Sequence, residues 1–434
     1  MSTNGRHDDA HRVVVTGVGV VTPIGETRAA FSAGLRAGRS GITRWKHMDE
    51  RTLSKIGGDM CEFDLGEHLE RVGTGYPPEL VKRARKVLRG TPLTGRLAGA
   101  AALQAYVDAG LHAPGLDPER VGHVAGGNNL NNNYFVQNVR AFDQDPESID
   151  PRLGMVFWDT DVLGKLGELL TIKGPNYMVG NACASGNAAL LCATDLLRAG
   201  RMDAVVVSAA TQELDPVGLQ GWALMNALVW QSFADAPTEA SRPFDARRQG
   251  FVPGEGAGAV ILETLAGARA RDARIHAELL GGVSTCDATR LPRPVVEGQV
   301  RVMRGALRDA RVAPEQVNYI NAHGTSTVLA DAAEVEAIKQ VFGDHAYRIP
   351  INATKSMLGH CLTAAGLVEL VALIVQMQDG FVHPTINLDE PAPGFDLDFV
   401  PHKARPYDID IALSNSFGFG GLNACVVVGR APAP

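Results

Sequence analysis

Runs of near-continuous valine and alanine alternate with alanine- and leucine-rich stretches along almost the whole chain, and this alternation limits the fold more than any other feature. Strands are expected at 13–17, 121–125, 203–209, 257–263, 277–283, 317–321, 349–352, 409–414 and 424–428. Helices are expected at 29–37, 93–111, 187–198, 297–309, 332–341 and 364–378. A strand as uniformly apolar as 203–209 suits a sheet covered on both faces. The pattern therefore predicts α/β layers with mostly parallel sheets. At 434 residues the chain exceeds one ordinary domain and can bury a large core. A short internal echo suggests two related halves. Val179-Gly180-Asn181-Ala182-Cys183 precedes one apolar helix, and Met357-Leu358-Gly359-His360-Cys361 precedes another.

Composition narrows the function. With 45% hydrophobic and 21% charged residues the profile is that of a globular enzyme. A net charge of −7 provides no global basic field for nucleic acid. The start, Met1 to Arg12, is polar, and no run of 18 uninterrupted apolar residues follows, so a cytoplasmic protein without membrane spans is expected. The cysteines at 61, 183, 192, 286, 361 and 425 are scattered, with neither zinc-site spacing nor a disulfide framework, and no metal is expected. The opening Gly17-Val18-Gly19 lacks the third glycine of a dinucleotide fingerprint, since Thr22 and Pro23 intervene.

Three distant stretches carry reactive side chains among small residues: Asn181 to Gly186 around Cys183, Asn321 to Thr327 around His323, and Lys355 to His360. Cys183 stands just before a helix, where free N–H groups and the helix dipole would lower its pKa and provide an oxyanion hole. A buried structural cysteine beside a tight turn would look the same. His323 closes an apolar strand, and strand ends in open parallel sheets are where ligands sit. His360 has a similar setting, flanked by Gly359. Alone, either histidine reads as a core residue. Together, two neutral imidazoles can hold a thioester oxygen and stabilise an enolate formed as CO2 leaves. Lys355 and Glu369 bracket His360 and either tune its protonation or form a simple ion pair, while Asp331 and Glu334 lie on the helix after His323. A fourth stretch, Ser414 to Gly421, has glycines at 418, 420 and 421 that let backbone amides approach a ligand.

With these stretches in view, the chain resembles the β-ketoacyl-acyl-carrier-protein synthases of the elongating Cys-His-His type, in the thiolase-like superfamily. The similarity extends from Arg12 to Arg430 and includes Ser241-Arg242-Pro243-Phe244-Asp245 and Pro384-Thr385-Ile386-Asn387-Leu388. The resemblance implies a thiolase fold, a five-layered α-β-α-β-α sandwich of two duplicated halves with mixed, mostly parallel sheets. It divides the chain into 12–270, with the cysteine, and 271–430, with both histidines. By position, Cys183 is implied as the nucleophile that accepts an acyl chain, and His323 and His360 as the pair that assists malonyl decarboxylation. Lys355 and Glu334 match supporting residues, and Phe417 matches the gate whose N–H completes the oxyanion hole with that of Cys183. No cofactor is implied, because the phosphopantetheine thioester arrives on acyl carrier protein. A homodimer is implied, and a heterodimer with a sister chain stays open. So do a malonyl-carrier decarboxylase and a non-catalytic partner subunit, although both typically replace the nucleophile and Cys183 is intact.

Departures from the family pattern bear on substrate. Asn128, Asn129 and Asn131 fall where fatty-acid enzymes carry small or apolar residues, and an amide-lined pocket suits a polar or short acyl group. Alternatively these asparagines bond one another at an interface. Thr325, Thr327 and Phe419 complete the candidate pocket, and the stretch after Asp287 is short. These signs favour a specialised polyketide-type member over housekeeping fatty-acid synthesis. Lys82, Arg83, Arg85, Lys86 and Arg89 form a basic cluster in an acidic protein, either a docking face for an acidic carrier or a solvated helix face.

Overall fold

The computed structural model describes residues 11–113, 115–289 and 293–433. The polar start (residues 1–10) and part of the short stretch after Asp287 (290–292) lie outside the described residues. Among the described residues, ten strands make the principal sheet: β1 (Val13–Val21), β2 (Val121–Gly126), β3 (Asn176–Val179), β4 (Ala204–Ala210), β5 (Ala257–Thr264), β6 (Ala277–Cys286), β7 (Tyr319–Asn321), β8 (Ile351–Asn352), β9 (Ile411–Gly418) and β10 (Leu422–Arg430). Their spatial order is β8-β7-β9-β10-β6-β1-β5-β4-β2-β3. Read outward from the centre, each half repeats one pattern: β1, β5, β4, β2, β3 on one side and β6, β10, β9, β7, β8 on the other. Strand n of the first half thus corresponds to strand n+5 of the second. The duplication suggested by the two short echoes is real at the level of the whole topology.

The sheet is mixed, but not mostly parallel. Among the described strands, β2–β3, β2–β4, β7–β8 and β7–β9 pair in parallel. The five central pairings, β4–β5, β5–β1, β1–β6, β6–β10 and β10–β9, are antiparallel. One of these has a local cause: β9 and β10 are joined by a tight glycine turn, which makes them antiparallel.

Period-two alternation sorts the core into layers. Within β4, Val205, Val207 and Ala209 face one apolar cluster, while Ala204, Val206 and Ala210 face another. The first, central cluster also holds α5 (Ser185–Arg198) and α8 (Ala365–Asp379), together with strand residues from both halves. On the outer side of the first half lie α1 (Pro78–Val87), α2 (Leu93–Asp108) and α4 (Thr160–Leu170). Helices α6 (Val296–Ala310) and α7 (Val328–Phe342) cover the second half. The layers run helix, first half of the sheet, central helices, second half of the sheet, helix. The helix α3 (Asn132–Gln144) stands at the rim with a largely exposed apolar stripe.

The two central helices meet at glycines. A Cβ on Gly186 would lie 2.8 Å from the Leu367 amide nitrogen, and one on Gly366 would lie 2.9 Å from that of Asn187. Only glycine allows backbones this close. The contact sets the N-terminus of α5 beside that of α8. The stretch Leu362–Asp379 has a mean hydropathy of 1.4, yet 89% of it is buried within the protein, so it serves as a core element.

Candidate active site

Cys183 lies four residues beyond β3, at the mouth of α5. Its loop is held by Ser185, whose hydroxyl accepts from the Asn181 N–H at 2.8 Å and donates to the Ala182 carbonyl at 2.7 Å. Ala182 adopts φ 46°, a left-handed conformation that costs a non-glycine residue energy and turns the next side chain into the cavity. The Asn187 amide donates to Ser416 Oγ at 3.2 Å, fastening α5 to β9 of the other half.

His323 lies two residues beyond β7. Glu334 of α7 holds its loop by accepting the N–H groups of His323 and Gly324, each at 2.8 Å, and an Asn415 amide at 3.0 Å. Gly324 sits at φ 37°, where a Cβ would strike Ala353 at 2.6 Å. Asp331, fully buried, accepts from the Phe244 N–H at 2.9 Å and the Ser326 N–H at 3.1 Å. Burial pushes its carboxyl up to about 7. Glu334 and Asp331 thus support the histidine loop through backbone amides.

His360 follows β8 and faces the same space, its ring centroid 5.3 Å from that of His323 with the planes near perpendicular. Its Nδ1 accepts the Leu362 N–H at 3.1 Å, so in the neutral ring the proton sits on Nε2. The pKa values of both imidazoles are depressed well below the ordinary histidine value, first by burial and next by the Lys355 ammonium. Lys355 is buried and donates to Glu369 Oε1 at 2.5 Å and to the His323 carbonyl at 2.6 Å, with its Nζ 3.3 Å from His323 Nδ1. Lys355 and Glu369 are therefore a buried ion pair that also braces His323, the histidine from the other motif. Burial raises the Glu369 carboxyl and Lys355 pulls it back.

Cys183, His323, His360, Thr325, Thr327, Phe417, Phe419 and Asn128 all border one cavity of about 480 Å³. Three expectations are corrected here. First, the helix terminus does not make Cys183 acidic: burial pushes its thiol up to about 11, with Lys355 and nearby amides opposing. Second, the backbone group that meets the sulfur beside the amide of Cys183 itself belongs to Phe419, not Phe417. Phe417 is 9% exposed and packs edge-on against His323, with centroids 5.7 Å apart. Phe419 is 39% exposed at the rim of the cavity, followed by Gly420 and Gly421 with φ of 84° and 71°. The turn is the one the sequence pointed to, but the amide beside the sulfur comes two residues later.

Third, Asn129 and Asn131 do not border the cavity. The amides of Asn129 and Leu130 donate to Asp159, and the Asn131 side chain donates to the Val156 carbonyl at 2.5 Å. Gln212, Trp222, Phe251, Gln299 and Thr363 border it instead, and nothing in their sequence setting marked the first four. The basic cluster is also partly committed. Arg83 donates to the Leu169 carbonyl at 3.2 Å and to Thr171, while Arg85 pairs with Glu70 at 3.5 Å. Lys82, Lys86 and Arg89 are exposed on α1 or just beyond it. Away from the cavity, ligand atoms of His47, Asp59 and Cys61 lie within 4.8 Å of one another, a grouping that their spacing did not suggest. Asp59 already accepts the N–H groups of Lys46 and Cys61, and burial pushes the Cys61 thiol up to about 12.

Family models match this chain on both sides of the cavity: the β-ketoacyl synthase N-terminal domain over residues 10–268 and the C-terminal domain over 276–389. The chain belongs to the β-ketoacyl synthase family. Its relatives include a 3-oxoacyl-[acyl-carrier-protein] synthase 2 of Coxiella burnetii, 37% identical over 97% of this chain and 99% of that one. The synthase 2 of Synechocystis is 39% identical over 95% and 96%. A polyketide biosynthesis malonyl-ACP decarboxylase of Bacillus subtilis, PksF, is 34% identical over 96% of each. Among solved structures, the ishigamide ketosynthase/chain length factor superposes with a TM-score of 0.86 at 33% identity, covering 97% of this chain and 99% of that one. A type II polyketide ketosynthase in complex with its acyl carrier protein, AntDE:AntF, superposes at 0.82 with 30% identity and the same coverage. This β-ketoacyl synthase has the thiolase fold of those neighbours.

Proposed function

We propose that this protein is a 3-oxoacyl-[acyl-carrier-protein] synthase of polyketide or fatty-acid biosynthesis, with Cys183, His323 and His360 as its catalytic groups. The observation that carries this reading is the convergence on one cavity of a thiol and two neutral imidazoles, one with a defined Nε2–H. In the first half-reaction a neutral imidazole takes the Cys183 proton as the sulfur attacks the acyl thioester carbonyl. The C–S bond to pantetheine breaks, and the proton passes to the departing pantetheine sulfur. The amides of Cys183 and Phe419 hold the intervening oxyanion. In the second half-reaction malonyl carrier protein loses CO2, and imidazole N–H groups of His360 and His323 stabilise the enolate oxygen. The enolate carbon attacks the Cys183 thioester, the acyl–sulfur bond breaks, and the departing thiolate takes up one proton from solvent. The product is 3-oxoacyl carrier protein.

The enzyme needs no cofactor of its own, since the pantetheine arm comes with the carrier. It works in the cytoplasm, with residues 12–270 and 271–430 as its two thiolase-like halves. It acts as a homodimer through the free edge of β3 and the stripe of Phe135, Val139 and Phe142 on α3, which are exposed with Tyr177 and Trp158 beside them. A heterodimer would use the same face.

The test is to incubate the protein with a short acyl carrier thioester and malonyl carrier protein and weigh the carriers. A carrier heavier by the condensed 3-oxoacyl group is expected, and Cys183→Ser should abolish it. The relationship to PksF favours one second reading, a malonyl-carrier decarboxylase. In that case acetyl carrier would form without condensation and its formation would survive Cys183→Ser.

A further inference from the structure

The duplicated topology gives His323 and Phe419 counterparts in the first half. His323 lies two residues beyond β7, and Asn128 lies two residues beyond β2, the matching strand. Phe419 directly follows β9, and Gln212 lies two residues beyond its match, β4. All four border the same cavity. Asn128 abuts Gly180, three residues before the nucleophile, where a glycine Cβ would lie 3.5 Å from that of Asn128. Gln212 follows Thr211, whose hydroxyl donates to the Cys361 carbonyl at 3.0 Å beside His360. Asn128 thus stands beside the Cys183 loop, and Gln212 borders the same cavity just past the strand that matches β9.

The polar side chains next to them in sequence have partners of their own. Asn131 and Asn132 donate to Val156 and Asp215, at 2.5 and 2.6 Å, and Glu213 accepts the Leu93 and Tyr134 N–H groups at 3.1 and 2.9 Å. Among the described residues, none bonds the side chain of Asn128 or Gln212. Both are half-buried, and the wall beside them is aromatic: Trp222 and Phe251 have centroids 6.0 Å apart, and Phe251 lies 5.3 Å from His360. Two free amides in such a wall are desolvated at a cost by any saturated chain and matched by a chain with hydroxyl, ether or amide groups.

We propose that Asn128 and Gln212 select an acyl chain that carries a hydrogen-bonding oxygen or nitrogen along its length, over the saturated chain of equal length. This rests on the ketosynthase reading and narrows its substrate class. A site built to pair a hydroxyl discriminates against the analogue that lacks it far better than an apolar wall discriminates against an added one. The preference should be about 10-fold or more in acylation rate.

The experiment measures acylation of Cys183 by intact-protein mass spectrometry, using pantetheine thioesters of hexanoate and of hexanoates hydroxylated at C3, C4 or C5. At least one hydroxylated thioester should acylate the wild-type enzyme 10-fold faster than hexanoyl. Asn128→Leu and Gln212→Met should shrink that ratio toward one while raising the hexanoyl rate, which also reports that the variants fold. If hexanoyl matches or beats every hydroxylated thioester, or both variants keep the wild-type ratio, the amides do not select and the ketosynthase reading stands. If no thioester acylates Cys183, the ketosynthase reading itself fails, and this inference with it.

Discussion

At the level of single residues, the site combines groups whose environments all favour the neutral form. Burial raises the Cys183 thiol, while burial and Lys355 depress both imidazoles. A histidine acting as base is lost only as pH falls through its pKa in the folded protein, and here that lies well below 6.5. Acylation of Cys183 should therefore hold a plateau from pH 8 down through 6.5, measured as kcat/KM against a short acyl pantetheine. An inflection at 6.5 would mean that the imidazoles are solvated. Because Lys355 lowers both values, Lys355→Met should move the acid limb upward, toward 6.5. The identities of Cys183, His323 and His360 were legible in sequence because reactive side chains stood among small residues at strand and helix ends. The direction of the Cys183 shift was not, since the sequence displays the helix terminus but not the desolvation that opposes it.

At the level of elements, the crossing of α5 and α8 aligns chemistry drawn from two distant motifs. Gly366→Ala places a Cβ 2.7 Å from Asn187 Oδ1 and 2.9 Å from its amide nitrogen. It should cost about 2 kcal/mol of stability, read from the urea midpoint, by the usual penalty for overpacking. Activity should fall further than stability alone explains, because the two helix mouths must part. Strands and central helices were legible where apolar runs were long, as in β4 and α8. The α3 helix was missed because its apolar residues face outward at the rim and are interleaved with asparagine. The pairing directions escaped because hydrophobicity alone does not distinguish parallel from antiparallel neighbours. Asn129 and Asn131 were misplaced for a similar reason: composition puts amides near the pocket, and only backbone torsions decide which of them turn inward.

At the level of the whole molecule, charge and exposed apolar surface point to partners. Lys86→Glu with Arg89→Glu should raise KM for acyl carrier protein by about 3- to 10-fold and leave kcat nearly unchanged, since rim charges act chiefly on encounter. Arg83→Glu should instead lower Tm, because that guanidinium ties α1 to the end of α4. On the proposed homodimer, wild-type protein should sediment as a dimer at micromolar concentration, and Phe142→Asp combined with Tyr177→Asp should sediment as a monomer. An unchanged sedimentation coefficient would place the interface elsewhere.

The position of β1 has a consequence for how the protein is made. Val13 pairs with Thr264 and with Leu279, partners emerging some 250 residues later. At ribosomal elongation rates that gap corresponds to roughly 10 to 50 s. For all that time a nine-residue run destined for complete burial has no strand on either side. Nascent chains of this enzyme should therefore depend on a holding chaperone at the tunnel exit, and synonymous codon changes that slow translation between β1 and β5 should lower the soluble yield.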